Sequence, residues 1–280
     1  MRRSKITRND LLFLLKLGRP IGIPLMSLVI LAGAASESGI TPVLVLKTVF
    51  ISAIISYVGF GANDYIDRET DKQNPRKGGW QGTTATGRRS EIAKYATMAS
   101  VIISTAVSLT LGVTAAASLI GITVLALMYS LPPTRLKSAP VLDSLSNVVM
   151  AYLAFSLGVG LAGGTFDSVI GGAFWFSLVF AGGGHAIGSL LDLEPDRKAG
   201  ITTTGTFLGW KKTLAVIQAF TISALIFEKW SVESRTFLII LFLGLLAPAY
   251  REKREILQKT VYIGLITYVI YGFIWLILRT

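Results

Sequence analysis

The sequence contains no cysteine among its 280 residues. Without cysteine the chain can form no disulfide framework, no thiolate metal site and no cysteine nucleophile. Charged residues are also scarce, at 15% of the chain, whereas hydrophobic residues make up 52% and the mean hydropathy is +0.61. These values exclude an ordinary soluble domain and indicate a membrane protein.

Long apolar runs recur along the chain, and each can cross a bilayer as a helix of about 17 to 25 residues. The runs are continuously apolar rather than alternating, so they predict helices and not strands. The start of the chain, "MRRSKITRNDLLFLLKLGRP" (1–20), is interpreted as an amphipathic lead-in to the first span. The fold is therefore predicted to be all-α, a polytopic membrane protein forming a single domain over 1–280, with nine transmembrane helices near 19–35, 42–63, 92–111, 113–131, 141–162, 168–191, 211–227, 235–250 and 260–278.

The distribution of basic residues predicts the orientation in the membrane. With nine spans and a cytoplasmic N-terminus, 23 of the 27 Lys and Arg residues fall in cytoplasmic segments or their flanks, and the others are Lys47, Lys229, Arg235 and Arg279. This partition follows the positive-inside rule. The two termini are expected on opposite sides, and nucleic-acid binding becomes a poor explanation for the net charge of +11.

The segment 61–82 concentrates charge directly after the second apolar run. If the second helix continues past that run, Asn63, Asp67 and Asp71 fall at i, i+4 and i+8 and lie along one face. Like charges at this spacing destabilise a helix by about 0.2–0.5 kcal/mol, so the row requires a compensating cation. On this pattern alone, Asp67→Asn is expected to leave the stability almost unchanged.

A second pair of acids, Asp192 and Asp196, repeats the i, i+4 spacing after the sixth span and faces the same predicted compartment. Pro195 between them is expected to end or kink the helix. Carboxylate and amide oxygens in a chain without cysteine suit Mg²⁺. The alternative is that these acids are solvated loop ends paired with nearby Arg and Lys. Two such motifs on one membrane face favour the metal site.

Four segments carry a resemblance to a known family. "NDYIDRETD" (63–71) resembles the N-D-x-x-D-x-x-x-D motif of the UbiA-type intramembrane prenyltransferases, and "DLEPD" (192–196) resembles their second D-x-x-x-D motif. "GRP" (18–20) and "YSLPPTRLK" (129–137) are similar to further family segments. The resemblance implies a helical bundle around a central cavity, where two Mg²⁺ ions bridge the acidic motifs to an isoprenyl diphosphate. Its activity would be transfer of the isoprenyl group to a lipophilic acceptor in the membrane.

The resemblance also implies roles for individual residues. It assigns metal binding to Asn63, Asp67, Asp71, Asp192 and Asp196. It makes candidates for the diphosphate of Arg19, Lys72, Ser130, Arg135, Arg197 and Lys198. It gives as catalytic candidates Asp64, Tyr129 and Lys137. A ring face such as that of Tyr129 can stabilise an allylic cation in a dry chamber, although an interfacial tyrosine is the alternative interpretation.

Other ionisable residues are assigned outside the predicted site. His185, the only histidine, is interpreted as a neutral group hydrogen-bonded between helices. Asp143 is interpreted as an ordinary helix-end acid, and Asp167 and Glu37 as structural acids on the opposite face.

The acceptor and the class of protein each leave alternatives. An aromatic or quinone precursor, an ether-lipid glycerol and a carotenoid all remain open as acceptors. The segment "NPRKGG" (74–79) resembles enzymes that prenylate carotenoid ends more than quinone, haem or ether-lipid members of the family. A cation-coupled transporter using the Asp pairs is the alternative function. Acids at span ends and an odd number of spans disfavour it, because transporters place coupling ions near the midplane between repeated halves.

Overall fold

The computed structural model describes residues 7–20, 22–73, 83–169, 171–227 and 253–277, together with 236, 239, 240 and 244. Within these ranges the regular structure is helical, without strands. The α-helices are α1 (Arg8–Leu17), α2 (Gly22–Glu37), α3 (Pro42–Ile66), α4 (Arg88–Ser108), α5 (Val113–Ser130), α6 (Leu142–Leu161), α7 (Gly171–Phe176), α8 (Gly183–Leu191), α9 (Leu193–Lys198), α10 (Thr204–Phe227) and α11 (Arg254–Ile277). Between them lie 3₁₀ turns at Thr70–Gln73, Leu136–Ser138 and Phe166–Ser168 and a π-helical turn at Ser177–Gly182.

The predicted spans correspond closely to these helices. Six stretches of the described residues are long and apolar enough to cross a membrane, formed by α1 with α2, α3, α5, α6, α7 with α8, and α10. The predicted third and ninth spans fall on α4 and α11. The predicted eighth span, 235–250, lies mostly outside the described residues. The all-helical membrane fold is confirmed, and the total of nine helices stays a prediction.

A separate short helix, α1, occupies the segment that the sequence predicts as a lead-in to the first span. Thr7 caps α1 through a reciprocal pair of hydrogen bonds with Asp10, so the helix begins there. One face buries Phe13 and Leu17, while Leu15 on the other face is 62% exposed. The chain then breaks at Arg19, whose φ of 49° lies in the left-handed region, before α2 begins.

Glycines allow α2 and α6 to pack backbone against backbone. A Cβ atom built on Gly33 would lie 2.0 Å from the Phe155 carbonyl oxygen, and one on Gly158 would lie 1.8 Å from the Ile30 carbonyl oxygen. Small residues at such crossings are the usual means by which membrane helices approach closely.

Two of the apolar clusters pack different sets of helices together. The larger joins α2, α3, α5 and α6 through residues such as Ile30, Ile55, Leu119 and Leu157. The second joins α8, α10 and α11 around Leu214. The ends of α3, α5 and α8 meet between these groups, and this meeting point holds the cavity described next.

Candidate active site

A cavity of about 280 Å³ lies where these helices end. It brings together both acidic motifs although more than a hundred residues of chain separate them. The predicted site residues on its wall are Asn63, Asp67, Asp71, Tyr129, Lys137, Asp192, Asp196 and Lys198. The sequence prediction that the two motifs face one compartment therefore agrees with the structure.

The first motif keeps its helical spacing beyond the end of α3. The Asp67 amide donates to the Asn63 carbonyl oxygen at 2.9 Å, and the Asp71 amide donates to the Asp67 carbonyl oxygen at 2.8 Å. Asp71 itself lies in the 3₁₀ turn Thr70–Gln73, so the i+4 bonds continue although the α-helix stops at Ile66. This continuity places all three oxygen-bearing side chains on the cavity wall.

Two cations stand against the first motif. The Lys137 Nζ atom donates to the Asn63 Oδ1 atom at 3.0 Å and also forms an ion pair with Asp67. Arg135 Nη2 donates to the other Asp67 carboxylate oxygen at 3.1 Å. Burial lowers the pKa of the Lys137 ammonium from its usual value, although the adjacent Asp67 carboxylate opposes that shift. Asp67 thus has two cationic partners among the protein's own side chains, without any metal ion.

The second motif lies at a break between two helices. α8 ends at Leu191, and Asp192 adopts a non-helical conformation before α9 begins at Leu193. Pro195 explains this break, because its ring would clash with the Leu191 carbonyl of a continuous helix. The Asp196 amide still donates to the Asp192 carbonyl oxygen at 2.8 Å, so both acids reach the cavity.

Asp64 and Arg19 lie beside the cavity rather than on its wall. Asp64 is fully buried, and its carboxylate accepts from Arg19 Nη2 at 3.0 Å and from Thr83 Oγ1 at 2.8 Å. Arg19 also stacks over the Phe60 ring, 4.8 Å from its centroid. Their assignments, to catalysis and to the diphosphate, stay predictions.

Three further diphosphate candidates among the described side chains, Ser130, Arg135 and Arg197, are not on the cavity wall. Ser130 is fully buried at the end of α5, outside the lining. Arg197 is half-exposed on α9 and lies 3.6 Å from Glu194 as an ion pair. The Lys72 side chain lies outside the described part of the structure.

Sequence reasoning missed two residues next to the cavity. His185 lies on its wall, and His185 Nε2 is 3.4 Å from the Tyr129 hydroxyl and 3.6 Å from a carboxylate oxygen of Asp143. Asp143 is fully buried and not an ordinary helix-end acid, because it accepts hydrogen bonds from Thr204 and from the Ser144 amide. The available signal was an ionisable ring inside an apolar span, which by itself suggests function.

The donor atoms on the cavity wall fit a hard divalent cation. They are amide and carboxylate oxygens, the ligands that Mg²⁺ prefers, and the Lys137 ammonium already places a positive charge against Asn63 and Asp67. Among the residues that the structure describes, no three His, Asp or Glu side chains form a metal cluster on their own. Mg²⁺ commonly completes its coordination with water and substrate phosphates, so the arrangement suits a shared site.

A membrane-embedded helical bundle with acidic motifs around a cavity defines the class as an intramembrane enzyme. The model of the UbiA prenyltransferase family matches residues 24–260, and the chain belongs to that family. The resemblance noted in the sequence is confirmed: the protein is a multi-pass membrane prenyltransferase, and the transporter alternative finds no support.

The chain is similar to curated proteins from two archaea that share one name with each other. The chain is 34% identical over 212 residues to "Lycopene elongase/hydratase" of Halobacterium salinarum, covering 75% of this chain and 70% of that protein. It is 29% identical over 209 residues to the protein of that name from Haloarcula japonica, with coverages of 72% and 68%.

Solved structures share the fold. A UbiA homologue from Archaeoglobus fulgidus bound to GPP and Mg²⁺ superimposes with a TM-score of 0.61 at 20% identity, covering 93% of this chain and 98% of that one. The apo UbiA homologue from Aeropyrum pernix K1 gives a TM-score of 0.67 at 16% identity, with coverages of 90% and 96%. At these identities the similarity establishes the fold alone.

Proposed function

We propose that the protein transfers an isoprenyl group from a prenyl diphosphate to the end of a carotenoid-like polyene, in a reaction that depends on Mg²⁺. The observation that carries this proposal is the cavity wall, where both acidic motifs line one small space together with Lys137 and Lys198. The similarity to proteins named lycopene elongase/hydratase supports a polyene as the acceptor.

The acidic side chains on the cavity wall suit the diphosphate. Mg²⁺ would be held by oxygen atoms of Asn63, Asp67, Asp71, Asp192 and Asp196, and when bound it offsets the negative charge of the leaving diphosphate. Lys137 and Lys198 on the same wall supply fixed positive charge for the same purpose. Such preorganised charge is worth several kcal/mol where water is excluded.

An aromatic side chain on the same cavity wall suits the carbon skeleton. Loss of diphosphate leaves an allylic cation, which an aromatic ring face stabilises and which water would destroy. Tyr129 lies on the wall for that role, at the end of α5.

A polyene acceptor would approach from the bilayer. The helices expose large apolar side chains along their length, for example Leu46 on α3 and Ile102 on α4, as lipid-facing helices do. The segment 74–79 that indicated carotenoid prenylation lies outside the described residues and adds no structural support.

The membrane orientation is part of the same proposal. The cavity lies at the ends of helices whose adjoining loops carry most of the basic residues. Under the positive-inside rule this end, with the N-terminus, faces the cytoplasm, from which a water-soluble prenyl diphosphate can enter.

The test is a comparison of acceptors with one donor. Purified protein in lipid nanodiscs would receive labelled dimethylallyl diphosphate with lycopene, a phenolic quinone precursor or a prenylated glycerol phosphate. We expect Mg²⁺-dependent addition of isoprene units to lycopene, abolished by EDTA and in Asp192→Asn, with Asp167→Asn as the control at the opposite end of the bundle. Transfer to the phenol or the glycerol phosphate without transfer to lycopene would replace the proposed acceptor.

A further inference from the structure

The cavity wall carries one imidazole that the diphosphate chemistry leaves unused. His185 is the only histidine of the chain and lies at the start of α8, directly after the π-helical turn Ser177–Gly182. Turns of this kind are rare and occur frequently at functional sites. The ring meets Tyr129 edge to face, with 5.9 Å between the ring centroids, so its position on the wall is defined.

A buried carboxylate stands behind this imidazole. Asp143 is fully buried, and its carboxylate accepts hydrogen bonds at 2.7 Å from the Thr204 and Ser144 amides, together with the Thr204 hydroxyl. Several donors of this kind keep a carboxylate ionised and fixed in place. One Asp143 carboxylate oxygen lies 3.6 Å from His185 Nε2, and a carboxylate at this distance stabilises the imidazolium that forms when the ring accepts a proton.

Prenylation of a polyene requires a base at the end of the reaction. The π electrons of the acceptor double bond form the new carbon–carbon bond to the prenyl cation, and the adjacent acceptor carbon becomes a carbocation. Removal of a proton from the neighbouring carbon then converts its C–H pair into a double bond. The bond to diphosphate has broken with both electrons on oxygen, so one proton must leave for each diphosphate released.

We propose that His185 is the base that removes this proton, with Asp143 as the positioning residue that orients the ring. The imidazole becomes imidazolium, and the proton then passes to bulk water or to the departing diphosphate. This inference rests on the proposed function, because it assumes a polyene acceptor whose double bond becomes a carbocation on attack.

Other groups on the wall are less suited to this task. Lys137 is a cation already bonded to the first motif, and the acids belong to the motifs that face the diphosphate. A neutral phenol such as Tyr129 is a weak base, whereas imidazole has the affinity for protons that transfer near neutral pH requires. If water reached the acceptor cation, the same imidazole would take the proton of the added water and the product would be a tertiary alcohol.

The experiment measures how efficiently diphosphate release leads to coupled product. Parent, His185→Gln and His185→Asn proteins in nanodiscs receive labelled dimethylallyl diphosphate and lycopene, and released diphosphate, coupled carotenoid and free prenyl alcohol are quantified. Ser177→Ala is the matched control, because it removes a buried hydrogen bond of 2.7 Å to the Ala173 carbonyl in the same membrane segment. Asp143→Asn tests the positioning role.

We expect both His185 variants to keep releasing diphosphate while the ratio of coupled carotenoid to prenyl alcohol falls by about a hundredfold, the usual scale of a lost general base. Asp143→Asn should lower the ratio less, and Ser177→Ala should leave it unchanged. In a third variant, His185→Ala, added imidazole should partly restore coupling, which a purely structural role would not allow. A ratio at the parent value in the folded His185 variants would overturn the proposal. If the parent itself does not couple lycopene, the proposed function fails, and this inference fails with it.

Discussion

Replacing Asp67 by Asn tests the structure most directly. The carboxylate pairs with Lys137 and with Arg135 in the protein alone, and asparagine keeps the shape while removing the charge. The Lys137 side chain is 10% exposed, so this pair is largely shielded from water, whereas Arg135 at 35% remains in contact with solvent. The two pairs should therefore contribute unequally.

The loss of free energy follows from those exposures. Removing one partner of a buried ion pair costs about 3–5 kcal/mol, because the remaining charge is left without compensation. A pair as exposed as that of Arg135 contributes about 0–1 kcal/mol. The new amide oxygen and Asn63 can still accept from Lys137, so we expect a net loss of about 1–3 kcal/mol. The structure thus replaces the expectation from acid spacing alone that stability would scarcely change.

The assay is unfolding in detergent without Mg²⁺, followed by tryptophan fluorescence. Asp67→Asn should unfold at a lower temperature than the parent, while Asp167→Asn, exposed at the opposite end, should match the parent. The double variant with Lys137→Met should recover part of the loss, because the uncompensated cation is gone. Equal stability of Asp67→Asn and the parent would refute the argument. Prenyl transfer by Asp67→Asn should fall by orders of magnitude in either case.

Three further predictions follow from particular contacts. Lys198→Met should raise the KM for the prenyl diphosphate several-fold in steady-state assays, because Lys198 lines the cavity. Arg197→Met should leave the KM unchanged, because Arg197 pairs with Glu194 on the surface. Equal effects of the two substitutions on the KM would contradict this prediction. Gly158→Ala should lower thermal stability by more than about 2 kcal/mol, since its Cβ would overlap the Ile30 carbonyl, and Gly264→Ala, which meets open space, should be tolerated. In intact cells a membrane-impermeant maleimide should label Asp167→Cys but not Arg197→Cys, and the absence of native cysteine makes each label specific; labelling at the second position alone would reverse the orientation.

Much of the fold was predictable because the bilayer imposes one length and one polarity on each spanning helix. The predicted run 113–131 and α5 at Val113–Ser130 differ by one residue. The shared position of the first motif's side chains was predictable for a similar reason, since a helical period of 3.6 residues brings Asn63, Asp67 and Asp71 to one face. Local periodicity determines both results.

Contacts between distant segments were not predictable in the same way. Asp143 looked like a helix-end acid because the sequence gives no sign that Thr204, 61 residues later, donates to it. The interpretation of His185 as a group that bridges helices agrees with its contacts to Tyr129 and Asp143, but the sequence did not identify those partners. Both depend on how α6, α8 and α10 pack, which no single-helix pattern contains.

Asp64 shows how neighbouring residues of one motif can differ in surroundings. A helix turns by about 100° per residue, so Asp64 projects in a different direction from Asn63. It meets Arg19 and Thr83, and it is fully buried, whereas Asn63 reaches the cavity. Arg19 has a left-handed backbone conformation, which is costly and persists only where other contacts hold it. The ion pair with Asp64 and the stacking on the Phe60 ring are such contacts. Asp64 thereby fixes the junction between α1 and α2 against α3, the helix that presents Asn63 and Asp67 to the cavity.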